Sequence, residues 1–439
     1  MTTGERAARA AVSALLRRLR AGRLELVAGG ARRGYGPAEA DLTVRVEVHD
    51  PRTWTGVMRG SLGLGEAYVE GAWDADDLVA FFRITARELA RADPVARIVA
   101  RPRGVWHRLR RLVPANTRPA ARRHIAAHYD LGNELFESFL DERMLYSCAF
   151  FDRPDASLEE AQLAKVERIC RLLDLHPGLH LLEIGSGWGA LAIHAARAHG
   201  CRVTTATISR RQHDLARARV EDAGVGDLVD VVLSDYRDLG GTHDRLVSVE
   251  MIEAVGWQYF GEFFAACSRL LRPDGLMLLQ AITIDDRLYE AEKSARSFAN
   301  THVFPGGCLP SPARMAASVG RVTDLRQVWM EEITAHYPPT LAAWRRRFLA
   351  AWPQLRDLGY DERFKRLWLF YLCSSEAGFA EGRLGDVQVL YAKPRRRARL
   401  TRPASETAAQ TDSSIKKPQS EPASATTLRI SEPTRLRPR

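Results

Sequence analysis

The chain has 439 residues, 46% of them hydrophobic, which allows two domains or one enlarged one with a sizeable core. No apolar run reaches the roughly 18–20 residues of a membrane span. The six cysteines, at 148, 170, 201, 267, 308 and 373, form no C-x-x-C pair, which argues against a zinc site or disulfide framework and fits a reducing cytosol.

The net charge of +10 is uneven. Residues 1–123 hold 23 Arg, no Lys and 13 acids; residues 394–439 hold 11 basic and 4 acidic residues; residues 124–393 hold 30 basic and 37 acidic ones. Basic flanks around an acidic centre suit a polyanion, either nucleic acid or an anionic membrane surface. An Arg-rich, Lys-poor composition imposed by a GC-rich genome is the competing explanation.

In chain order, Ala7 to Leu19 reads as an amphipathic helix. Arg17, Arg18 and Arg20 interrupt it, unlike the apolar core of a signal peptide, so a soluble, unprocessed chain is expected. Leu42 to Val48 alternates like a strand and Leu78 to Ala92 reads as a helix, which makes 1–100 a small α+β module. Residues 101–123 carry eight Arg and no acid, broken by Pro102, Pro114 and Pro119. They read as a linker with a short basic helix at Val105 to Leu112, which packs on the core or contacts lipid. From 394 onward the chain is polar and without apolar periodicity, so a disordered basic tail is expected.

The most informative stretch is Leu181-Leu-Glu-Ile-Gly-Ser-Gly-Trp-Gly189. Apolar residues, a glycine cluster and the helical run Ala190 to His199 read as strand, turn and helix. Such a turn lets backbone approach a ligand and offers helix N–H groups to an anion; alone, it also fits a tight structural turn. Further strands are expected at Arg202 to Ile208, Asp230 to Leu233, Arg245 to Val249 (ending at Glu250) and Leu276 to Ile284. The helix Gln212 to Glu221, a helix ending at Leu271 and the turn Arg272-Pro-Asp-Gly275 lie between them. Alternating strands and helices imply a parallel sheet with ligand at the strand C-terminal ends.

Six motifs then occur in order: Ser61-Leu-Gly-Leu-Gly-Glu66, His128-Tyr-Asp-Leu-Gly-Asn133, Tyr146-Ser-Cys-Ala149, Glu183-Ile-Gly-Ser-Gly-Trp-Gly189, Asp235-Tyr-Arg-Asp238 and Phe304-Pro-Gly-Gly-Cys-Leu-Pro310. Together they resemble the cyclopropane-fatty-acyl-phospholipid synthase family, which includes the mycolic acid cyclopropane synthases and fatty-acyl C-methyltransferases. The resemblance runs from about Ser61 to Lys393.

It implies an α/β fold: a Rossmann-like class I S-adenosylmethionine (SAM)-dependent methyltransferase domain at 124–393, behind a lipid-docking domain at 1–100. It implies transfer of a methylene or methyl group from SAM to the cis double bond of acyl chains in phospholipids at an anionic membrane surface. The enzyme would be cytoplasmic and peripheral on the inner face of the cell membrane; the resemblance also allows a homodimer. A substrate carbocation would be stabilised by Tyr129, Tyr146, Phe304 or Tyr337. A bound bicarbonate ion would deprotonate it, caged by Cys148, Glu253, Gln280, the backbone of Ile282, and Tyr337. Gln280 stands where many relatives have His, and Ser375 where several have Cys.

For SAM, the matching positions are Tyr146, Ser147, Glu183, Gly185, Gly187, Gly189, Thr207, Gln212, Asp235 and Tyr236, with no metal. Ring-forming and methyl- or methylene-branching outcomes share one cation, and the sequence leaves them open. A nucleic-acid methyltransferase is disfavoured: Val249-Glu-Met-Ile lacks the Asn/Asp-Pro-Pro-Tyr/Phe pattern, and no Pro-Cys nucleophile occurs.

Overall fold

The computed structural model describes residues 1–91 and 131–396. The linker residues 101–123, Tyr129 and the tail beyond 396 lie outside the described residues.

Four strands form an N-terminal sheet: β1 Arg23–Ala28, β2 Ala31–Tyr35, β3 Thr43–Val48 and β4 Trp73–Ala75, in the order β2-β1-β3-β4. Helices Thr3–Leu16, Arg52–Met58, Gly60–Val69 and Leu78–Arg91 accompany it. The expected first helix starts earlier than read, because Thr2 and Glu5 form a capping box that satisfies its first N–H groups. Only β3 of these strands was expected from sequence. β2 reads Ala-Arg-Arg-Gly-Tyr and is mostly exposed, so it carries no apolar alternation to betray it.

Seven strands make the larger sheet. They are β5 His180–Ile184, β6 Arg202–Thr207, β7 Val229–Leu233, β8 His243–Val249, β9 Leu271–Ile284, β10 Arg326–Glu332 and β11 Leu384–Ala392, in the order β10-β11-β9-β8-β5-β6-β7. Strands β5 to β9 pair in parallel, while β11 and β10 add an antiparallel edge. Leu276, Met277, Leu278 and Leu279 of β9 are fully buried; each contributes about 1.5–3 kcal/mol by leaving water. The expected turn at 272–275 lies within β9 as an irregularity. The pairing with β8 jumps from His243–Leu271 to Arg245–Leu276, so the intervening residues bulge out.

From β5 the chain runs outward through β6 and β7, then returns to the other side of β5 for β8 and β9. The crevice between β5 and β8 is therefore a topological switch point, where a parallel sheet opens to a ligand.

The N-terminal module shares its core with the larger unit. Tyr68 and Phe82 pack on Phe370 of the helix Glu362–Ala380, and Arg83 and Arg87 both bond Glu381. The glycines of the Ser61–Glu66 motif have packing reasons. A Cβ on Gly63 would lie 2.6 Å from the Gly56 carbonyl, and one on Gly65 would lie 2.2 Å from the Phe298 ring.

Candidate active site

Two cavities lie at the C-terminal ends of the parallel strands. The first is a cleft lined by the turn after β5, by Thr207 and Ile208 after β6, by Ser234 to Arg237 after β7, and by Val249 to Met251 after β8. The segment 144–147 also lines it.

Its glycine turn follows an apolar strand whose last residues are buried. Gly187 has φ +49°, and a Cβ there would meet no protein atom within 4 Å, so that position faces open space. Gly189 differs from expectation. It caps the helix Ala190–His199, and its Cβ position abuts Ala216 at 3.3 Å; it allows two helices to pack and does not line the cleft. Trp188 donates to Asn133 Oδ1 at 3.1 Å, which joins two of the sequence motifs.

Glu183 is buried in this cleft and accepts from Thr205 Oγ1 at 2.5 Å. Burial pushes its carboxyl up to about 8. Lys165, on the helix Leu158–Leu172, is buried beside it and was not foreseen. Among the described residues its ammonium has one hydrogen-bond partner, Ser147 Oγ at 2.5 Å, and no ion pair. Burial pushes the Lys165 value down. A buried ammonium with so few partners is costly unless an anion joins it. Together, Glu183 and Lys165 offer one acidic and one basic group to an α-amino-acid zwitterion.

The remaining expected cleft residues are present. Thr207 donates to Gln212 Oε1 at 2.9 Å. Asp235 receives Arg237 Nε and Nη2 at 2.8 and 2.6 Å, and Tyr236 packs edge-on against Phe263. Tyr146 and Ser147 are placed by Gln162, whose amide donates to the Leu145 and Ser147 carbonyls.

The second cavity, about 270 Å³, is mainly apolar. Phe304, Leu309, Leu341, Tyr371, Phe379 and Leu384 are among its lining residues, and Ser375 also reaches it. The Tyr337 ring stacks on Phe379 at 4.0 Å, and the Tyr146 and Tyr371 hydroxyls are 3.0 Å apart. Tyr146, Glu250 and Ala254 line both cavities, so the two meet at these residues.

Glu250 reorganises the expected anion cage. Its Oε1 accepts from the Cys148 backbone N–H and from Gln280 Nε2, both at 2.8 Å, and its Oε2 accepts from the Tyr337 hydroxyl at 2.6 Å. Three of the five residues expected around bicarbonate therefore grip a carboxylate of the chain itself. The other two form a separate pair: the Ile282 N–H donates to Glu253 Oε1 at 2.5 Å. Glu253 Oε2 is buried without a partner, and burial, then the Glu250 charge, push that carboxyl up to about 8. Glu250, Glu253, Ile282 and Tyr337 face the apolar cavity, whereas Cys148 and Gln280 do not line it.

The Glu250 backbone has φ +47°, a left-handed conformation uncommon outside glycine. Gln280 divides its amide hydrogens between Glu250 and Asp386 Oδ2 (3.2 Å), and its carbonyl accepts from Gln388 at 3.0 Å. Asp386 is fully buried on β11. Burial, then Glu250, push its carboxyl well above the usual range. The Cys148 thiol is likewise raised by burial, so the residue contributes its N–H and not a thiolate. Tyr337 is raised by burial and remains a donor.

In the sequence, Glu250 stands only as the residue that ends an expected strand. An acid at the C-terminal end of a central parallel strand was the signal available. Asp386 and Gln388 had no such signal, since β11 was not foreseen.

No helix among the described residues is long and apolar enough to cross a membrane. The family model for mycolic acid cyclopropane synthetase matches residues 116–389. The chain is 42% identical over 336 residues to the tuberculostearic acid methyltransferase UfaA1 of Mycobacterium tuberculosis, covering 75% of this chain and 78% of the relative. It is 38% identical over 359 residues to the cyclopropane-fatty-acyl-phospholipid synthase of Escherichia coli, covering 81% and 87%. Among solved structures, the mycolic acid cyclopropane synthase CmaA1 complexed with SAH and CTAB superposes with a TM-score of 0.58 at 30% identity, covering 62% of this chain and 98% of that one.

Proposed function

The chain belongs to the mycolic acid cyclopropane synthetase family of SAM-dependent methyltransferases, and from that premise we propose that it methylates the cis double bond of an unsaturated phospholipid acyl chain, with Glu250 as the base. The observation that carries this is the junction: a carboxylate held by three donors stands where a polar cleft opens into an apolar cavity.

SAM supplies an electrophilic methyl group when bound. Lys165 and Glu183 would take the carboxylate and ammonium of its methionine end. Gly187 would leave it room, Thr207 and Gln212 would hold its ribose, and Asp235 and Tyr236 would flank its adenine.

An alkene held in the apolar cavity would receive that methyl as its bond to the sulfonium sulfur breaks, which leaves a neutral thioether and puts positive charge on the other alkene carbon. The faces of Tyr146, Phe304, Tyr337, Tyr371 and Phe379 line that space, each worth about 0.5–2 kcal/mol to a cation. Glu250 then accepts a proton. If it comes from the added methyl, the electrons left behind close a cyclopropane ring, which is the first reading. If the proton leaves the methyl-bearing carbon directly, or if a hydride first moves from that carbon to the cation and the proton then leaves the added methyl, an alkene remains on a branched chain. The 42% identity to a relative named as a methyltransferase favours this second reading.

A free bicarbonate ion does not fit beside this arrangement, because Cys148, Gln280 and Tyr337 already spend their donors on Glu250. Glu253, protonated near neutral pH, lies close to that anion as a neutral neighbour.

The test is lipid mass spectrometry with proton NMR after expression in a host lacking such enzymes. Cyclopropyl or exomethylene signals are expected on previously unsaturated chains. Unchanged lipids in cells making folded, SAM-binding protein would overturn the reading. We also place the 1–100 module and the 101–123 segment on the anionic membrane surface. Each Arg near such a surface adds about 1 kcal/mol, screened by salt. Vesicle sedimentation indifferent to both anionic lipid and salt would leave only composition to explain the charge.

A further inference from the structure

Away from both cavities, four side chains converge where the helices Leu158–Leu172 and Ala190–His199 pack together: Glu167, Cys170, His194 and His199. A ligand atom from each of Cys170, His194 and His199 lies within 4.8 Å of the other two. Glu167 Oε2 lies 2.9 Å from His194 Nε2 and 3.1 Å from His199 Nε2. Cys170 is fully buried, and the other three are partly covered.

We propose that this cluster binds a thiophilic divalent cation, with Zn²⁺ the ion best matched to one thiolate and two imidazoles. The hydrogen positions on His199 call for a positive charge beside it. His199 Nδ1 is 3.3 Å from the Leu175 carbonyl oxygen, which can only accept, so Nδ1 carries a hydrogen. In a neutral ring, Nε2 is then a lone pair. It faces a carboxylate oxygen, another acceptor, at 3.1 Å. Something positive must lie between them, either a second ring proton or a metal ion.

The same carboxylate oxygen also faces His194, and the Cys170 thiol lies on the same side. A backbone carbonyl on the far ring nitrogen is the usual orienting partner of a ligating histidine. The other oxygen of Glu167 is occupied by Arg171 at 2.7 Å, so Glu167 offers a single ligand atom. One thiolate and one carboxylate balance a divalent charge. Zinc distances of about 2.0 and 2.3 Å require ligand atoms ~3.5 Å apart, so side-chain movements of ~1 Å would close the site. A bound ion would clip the helix that carries Gln162 and Lys165 to the helix that begins at the glycine turn.

The test uses the full chain without an affinity tag. Titration with Co²⁺ alone should give one ion per chain and a thiolate-to-cobalt charge-transfer band, which Zn²⁺ then displaces. Cys170→Ser should lose the band, and His199→Gln should weaken Zn²⁺ by more than the roughly 10- to 100-fold that loss of an outer-shell partner costs, while calorimetric SAM affinity is retained. Absence of the band in the wild-type protein overturns the proposal and needs no variant. So does zinc affinity equal in the wild-type and His199→Gln proteins. A His199 ring that still titrates by NMR with stoichiometric Zn²⁺ present would assign the intervening charge to a proton and also overturn it.

Discussion

The strand-end cleft and the apolar cavity are built in opposite ways. The cleft draws on residues 144–255, mostly from turns that directly follow parallel strands. The cavity draws on Tyr146 and then on residues 250–384, from segments far apart in the chain. Backbone geometry shapes the first, with Gly187 at its centre; side-chain bulk and aromatic faces shape the second. Glu250 lines both, so SAM affinity and product formation are measured side by side in each variant.

The largest expected effect is at that junction. Glu250→Gly should lower product formation by about 10²–10⁴-fold, the usual worth of a general base, with SAM affinity unchanged by calorimetry. Glycine is at ease at φ +47°, so the fold should persist, and the freed donors of Cys148, Gln280 and Tyr337 should admit an anion. Added bicarbonate should restore part of the rate in this variant and leave the wild-type rate unchanged. A wild-type enzyme slowed by bicarbonate depletion would return the base to the free ion.

Gly187→Val breaks the cleft alone. Its side chain enters the space that a Cβ finds open, and SAM affinity should fall about 100-fold, or ~2.7 kcal/mol. Unchanged affinity in a folded variant would move the cofactor elsewhere.

Lys165→Met tests the zwitterion pair. Loss of a hydrogen bond to a charged group costs about 1.5–3 kcal/mol, so SAM should bind roughly 10- to 150-fold more weakly. Decarboxylated SAM should bind the wild-type and variant proteins alike; if it loses as much as SAM does, Lys165 is not reading the carboxylate.

Glu253→Gln gives the smallest effect on turnover, because glutamine resembles the protonated acid. Its signature is pH-dependent stability. The folded carboxyl, at about 8, lies above its ordinary value of 4.5. Between those values the native state holds a proton that the unfolded chain has released. This contribution is full below about pH 4.5 and is lost as pH rises through about 8. Urea midpoints should therefore fall from pH 5 to pH 8 more steeply in the wild-type protein than in the variant. Parallel slopes would mean that Glu253 is ionised in the native state.

The same contrast explains what the sequence revealed. The five parallel strands and the glycine turn were legible because apolar runs and turn residues are local signals. The cleft residues came instead from the resemblance, motif by motif; Gly189 among them caps a helix, and Lys165 lies in no motif, its helical position giving no hint that its face is covered. Three of the donors expected around an anion were named, and the Glu250 carboxylate that they bond in this structure was not. Nothing in Val249-Glu-Met-Ile shows that position 250 adopts positive φ and turns its side chain back onto Gln280. Strand β11, bearing Asp386 and Gln388, lies about 100 residues beyond its partner β9. Such a pairing is a tertiary fact without a local pattern.

The left-handed backbone at Glu250 has a genetic consequence. Every glutamate codon becomes a glycine codon by one change at its second base. At most positions that exchange would loosen the chain, but here the backbone already occupies the conformation glycine prefers. On the role proposed for Glu250, a single point mutation would therefore convert a lineage between a base carried in its own gene and one borrowed from dissolved carbon dioxide, with the rest of the donor cage inherited intact.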